Sequence, residues 1–139
     1  MLRKFILYYV LVYFLISLPV HETGHAIMMA SFGYSFTIRY CPPFGAEVVC
    51  YQRITGWKLT VCCLAGGMLA GTVLLALHSF AKDVDLKSAL LCHSMTNFVY
   101  APFDAMLCSK LYYYLSALVA LAIVFALPTS SKPRSSRRR

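Results

Sequence analysis

Residues 5–32 read FILYYVLVYFLISLPVHETGHAIMMASF, and the fold turns on how this stretch is read. The run is uncharged as far as Leu18 and approaches the ~20 apolar residues that a membrane helix needs. It is then interrupted by His21-Glu22-Thr23-Gly24-His25. Residues 26–32 are apolar again. On a helix, His21 and His25 lie one turn apart on the same face. That spacing brings two imidazoles to one zinc ion, with Glu22 beside it as general base. With four histidines in 139 residues, a chance match to this pattern is rare. Ionisable groups inside an apolar span are expensive, which makes them a functional-site hypothesis.

Two other readings of the stretch stand beside this one. The first helix could end at Pro19, leaving the motif in an interfacial loop, although the apolar continuation argues for a helix running on. Arg3-Lys4 followed by residues 5–18 also has the layout of a signal peptide, with Gly24-His25-Ala26 as a loose small-x-small site. Cleavage there would cut through the motif.

Composition agrees with a membrane protein. Apolar residues make up 60% of the chain and charged ones 13%, about half the share usual in a soluble domain. Mean hydropathy is +0.67. These values exclude a disordered chain, a nucleic-acid module and an ordinary cytosolic enzyme. The net charge of +8 is concentrated at the flanks. Arg3 and Lys4 precede the first run, and Lys132, Arg134, Arg137, Arg138 and Arg139 end the chain. Basic flanks suit the positive-inside bias and anionic headgroups.

Working outward, the sequence predicts an all-α membrane protein of about four transmembrane helices, at 5–32, 59–80, 88–108 and 111–127. A short re-entrant β-hairpin is expected between the first and second, with strands at 36–40 and 46–51 around a Pro-Pro-Phe-Gly turn. Such backbone is tolerated at membrane depth only where it is buried or lines a wet cavity. The link 81–87 is short and charged, so spans two and three form a helical hairpin. Gly67 and Gly71 make a small-xxx-small pair that suits close packing inside the bundle. Residues 1–127 read as one domain and 128–139 as a basic disordered tail. Cys41 and Cys50 flank the hairpin loop and are candidates to pair or to bind metal.

Catalytic zinc takes three protein ligands and keeps one position open for water. The candidates for a third are Glu47, Asp83, Asp85, Asp104, His78 and His93. Asp104 is the only acid among these candidates that lies inside an apolar span. It lies sixteen residues after Ser88, as His21 lies sixteen after Phe5, so at ~1.5 Å per residue the two reach similar depth in spans of the same direction. The alternative for Asp104 is an N-cap on a helix that starts after Pro102. His93, Asn97 and Asp104 would share one face of a regular helix, but Pro102 is expected to break that regularity. His93 therefore reads first as a hydrogen-bonded core histidine and second as a support for Asp104.

HETGHA at the end of the first span, a Gly-bearing hairpin, a Gly-rich second span and then Asn97…Pro102-Phe103-Asp104 occur in that order. In this the chain resembles the site-2 protease family of intramembrane zinc metalloproteases, over roughly residues 5–110. The resemblance implies that His21, His25 and Asp104 bind zinc and that Glu22 activates water. It implies that Asn97 lies in the substrate groove, and that the hairpin offers a strand edge to an unwound substrate. Ala105 follows the acid where the family usually has Gly. The Asn-to-Asp spacing is one residue shorter, and there is no PDZ-like module.

The expected function is hydrolysis of peptide bonds in membrane-embedded protein or peptide substrates, with Zn2+ as cofactor, the bilayer as partner and no nucleic acid. The alternatives are an inactive zinc-binding scaffold for membrane proteins and a small metal-handling transporter subunit. The basic flanks predict a multi-pass protein with both termini cytoplasmic.

Overall fold

The computed structural model describes residues 2–41, 45–107, 118 and 122. Apart from 118 and 122, the expected fourth span and the basic tail lie outside them. The described chain is mostly helical, with one small sheet.

A helix runs from Leu2 to Ser31 as α1 (Leu2–Val12), a π turn (Tyr13–Ser17) and α2 (Leu18–Ser31). It therefore does not end at Pro19. In a regular α-helix Pro19 would leave a carbonyl one turn back without its donor and crowd it with the ring. The π turn just upstream widens the backbone there, and the Leu18 amide reaches back five residues to the Tyr13 carbonyl. The helix stops in a tight cap built on Gly33, whose φ is +76°. The Gly33 amide donates to the Ala30 carbonyl and the Tyr34 amide to that of Met29, a Schellman arrangement that satisfies the last free carbonyls.

Strands β1 (Phe36–Cys41) and β2 (Gly45–Cys50) pair antiparallel with Arg39 opposite Glu47. The hairpin lies within a residue of its expected position. Cys41 faces Gly45 at one end of it and Cys50 faces Phe36 at the other. The two candidates thus stand at opposite ends of the hairpin, and its register keeps them from pairing with each other.

Helix α3 (Trp57–Phe80) starts after Gly56, and α4 (Val84–Leu107) follows a three-residue link. Asp83 caps α4 by accepting the Leu86 amide at 3.1 Å and also ion-pairs with Lys4. The two helices form the expected hairpin. A Cβ on Gly67 would meet the Asn97 carbonyl and Ala101, and one on Gly71 would meet the Phe98 ring. The small-residue pair is thus a packing face inside the bundle. Helix α4 continues through Pro102, contrary to the expected break. A single proline removes one amide from the ladder, and the Tyr100 hydroxyl still reaches Asp104 Oδ1 at 3.2 Å across that turn. Asp104 consequently lies inside α4 and is not an N-cap.

Leu2–Ser31 and Trp57–Phe80 are long and apolar enough to cross a membrane. Leu7, Leu15, Ile27 and Met68 are at least half exposed on these helices, while Ser17, His21, Glu22, His93, Thr96 and Asn97 are buried. Lower down, Phe5, Val12, Leu74 and Leu90 form an apolar core.

Candidate metal centre

His21 and His25 project from one face of α2, with ring centroids 4.7 Å apart. Asp104 arrives from α4, and the three side chains offer ligand atoms that all lie within 4.8 Å of one another. The expectation that His21 and Asp104 reach the same depth is met. Among the other candidates for a third ligand, Glu47 lies on β2 and lines the same cavity. It is not part of the ligand cluster. Asp83 serves the α4 cap. His78 is in the last turn of α3 and Asp85 in the first turn of α4.

The donor set fits a metal cation. His25 Nδ1 lies 2.6 Å from the Cys62 carbonyl. A carbonyl only accepts, so this nitrogen carries a proton, and in the neutral ring Nε2 keeps its lone pair. That lone pair faces Asp104 Oδ2 at 3.4 Å. Two acceptors this close repel unless a proton or a metal cation sits between them. Zinc–nitrogen and zinc–oxygen bonds of ~2.0–2.2 Å in a tetrahedron put ligand atoms about 3.3 Å apart, which matches the observed separation. His21 Nδ1 is likewise engaged, 2.9 Å from Asn97 Oδ1.

The site opens into a cavity of about 300 Å3, walled by α2, α3, α4 and strand β2. His21 and Glu22 are 8% and 7% exposed, and the side chains of His25 and Asp104 are 12% and 17% exposed. Glu22 lines the cavity beside the histidines. Ionisable side chains and apolar ones line this cavity together. Gly66 makes room for the centre, because a Cβ there would overlap the His25 ring. Gly24 does the same for the α2–α3 approach, where a Cβ would come within 2.8 Å of Gly66 Cα.

His93 behaves as the core histidine that the sequence favoured. Its Nε2 donates to the Tyr9 carbonyl at 2.9 Å, and its ring stacks on Tyr9 at 4.1 Å. Its carbonyl accepts from Asn97 Nδ2, so its link to the centre runs through the backbone and not to Asp104. Sequence reasoning missed Ser17 and Cys62. Ser17 accepts from Asn97 Nδ2 at 2.9 Å, and Cys62 contributes only its carbonyl. A main-chain acceptor leaves no trace in residue type, whereas Ser17 could have been found as a polar residue one turn before His21.

No protein-family model, curated protein or solved structure matches this chain.

Proposed function

We propose that this chain is an intramembrane zinc metalloprotease that works in the manner of the site-2 protease family. The observation that carries the reading is the His21–His25–Asp104 cluster, with Glu22 at its side, opening on a cavity among apolar helices. The outward-facing leucines and inward-facing polar residues support a bilayer as solvent. In the proposal α4 also crosses the membrane, the hairpin re-enters beside the cavity, and both termini are cytoplasmic.

His21, His25 and Asp104 would hold the metal, and they make up the three protein ligands that a catalytic zinc takes. Zinc held by these residues would supply an acidified water and a Lewis acid for the carbonyl to be cleaved. Glu22, which lines the cavity beside the two histidines, would serve as the general base and then as the acid toward the departing amine. Met29 and strand β2 line the cavity, where an extended substrate segment has room to lie.

Glu22→Gln tests the chemistry without removing a ligand. Full-length protein in detergent is expected to retain about one zinc per chain. Cleavage of transmembrane peptides is expected to fall by a factor of 10²–10⁴, the usual contribution of a general base. Unchanged cleavage by the variant would refute the mechanism. Zinc binding without cleavage by the unaltered chain would favour the scaffold reading.

A further inference from the structure

Asn97 is fully buried, and every bond its amide makes is directional. Nδ2 lies 2.8 Å from the His93 carbonyl and 2.9 Å from Ser17 Oγ. The His93 carbonyl can only accept, so the NH2 end of the amide must face it. The amide oxygen is thereby turned toward His21 Nδ1, at 2.9 Å. An amide oxygen also only accepts, so the His21 proton must sit on Nδ1, and the Nε2 lone pair is left for the cavity.

From this we infer that Asn97 is a positioning residue that fixes the tautomer of His21 and aims its Nε2 at the metal. The inference rests on the metal reading given above. His25 gets the same instruction directly from the Cys62 carbonyl on α3. His21 faces α4, and there the Asn97 side chain takes the place that a main-chain carbonyl takes at His25. The His93 carbonyl, Asn97 and His21 form a relay, and Ser17 on the π turn takes the second amide proton. Both N–H groups of Asn97 are thus spent within the protein. Asn97 has no donor left for a substrate carbonyl, although the family resemblance assigns it to the substrate groove. Groups that hold the far nitrogen of a ligating histidine commonly change metal affinity 10–100-fold when removed.

Two measurements test this on the full chain in detergent. Isotope-labelled imidazole nitrogens report the tautomer of each histidine by NMR after the metal is stripped with a chelator. Competition with a chromogenic chelator gives the zinc affinity. His21 in the unaltered metal-free chain is expected to carry its proton on Nδ1 alone. Asn97→Leu is expected to mix the tautomers and weaken zinc binding 10–100-fold. Ser17→Ala leaves the His93 carbonyl to hold the amide, so its loss of affinity should stay below about tenfold. An Nε2-protonated His21 in the unaltered chain overturns the inference, and this measurement holds even if Asn97→Leu does not fold. A folded Asn97→Leu with normal zinc affinity but a raised KM for peptide also overturns it and returns Asn97 to the substrate groove. If the unaltered chain binds no zinc, the metal reading itself falls, while the tautomer result still decides whether Asn97 orients His21.

Discussion

Gly66 and Gly67 are neighbours on α3, yet the structure gives them different work, and substitution separates the two. A methyl on Gly66 would overlap the His25 ring, whereas one on Gly67 would meet the Asn97 carbonyl and Ala101 Cβ, each at 2.6 Å. The first obstacle is the end of a side chain, which can turn away. Turning it breaks the bond to the Cys62 carbonyl and takes Nε2 from Asp104. The second obstacle is the backbone of a packed helix, which cannot move without separating α3 from α4. Gly66→Ala is therefore expected to weaken zinc binding by tenfold or more. Its metal-free stability should change by less than about 1 kcal/mol, because the helical gain from alanine offsets the lost bond. Gly67→Ala is expected to cost ~1–3 kcal/mol as an overpacked interface. Thermal unfolding and zinc titration of both variants check this. Equal effects of the two on both readouts would contradict the assignment.

Among the elements, the first helix was the one whose reading decided the rest, and its sequence exposed the zinc motif but not the path of its backbone. The HExxH spacing, the acid at Asp104, the hairpin strands and the end of the first span near residue 32 were legible because each rests on residue type and period. The π turn was not legible, because it has no composition of its own and arises where a proline must be accommodated in a helix too apolar to end. The uninterrupted α4 was misread for a related reason. Proline's cost is local, and the bonds on either side of Pro102 outweigh it. The Cys62 and His93 carbonyls could not be found at all, since every residue has one. The Gly33 cap makes a sharp test of what was legible. Nothing lies within 4 Å of a Cβ at this position, but its φ is +76°, a backbone conformation that costs a side-chain-bearing residue about 1–2 kcal/mol. Gly33→Ala is expected to lose that much stability and leave zinc affinity unchanged. A variant as stable as the parent would show that the cap is not held in this conformation.

Across the whole molecule, the metal centre and the end of α1 are joined by one helix, with roughly 25 Å between Lys4 and His21. The far end of that helix is tied down by Lys4 and Asp83, and Asp83 also caps α4. One carboxylate thus fastens α1 to the α3–α4 hairpin that carries Asp104. The Lys4 ammonium and then the Leu86 amide hold the Asp83 carboxyl below its ordinary range. A carboxylate whose pKa is lowered by folding adds stability at any pH above its unfolded value. That stability disappears as pH falls through the folded value. Because the pair is solvent-exposed, its contribution is modest and screened by salt. Asp83→Asn separates charge from capping, since asparagine caps a helix as well as aspartate does. At neutral pH and low salt the variant is expected to melt slightly below the parent. The difference should shrink as the buffer is acidified through the carboxylate range, and also as salt is added at neutral pH. Protonation of the histidines affects both proteins alike and cancels in the comparison. A gap that stays constant with pH and salt would mean that Asp83 acts only as a cap and that Lys4 contributes nothing to anchoring the first helix.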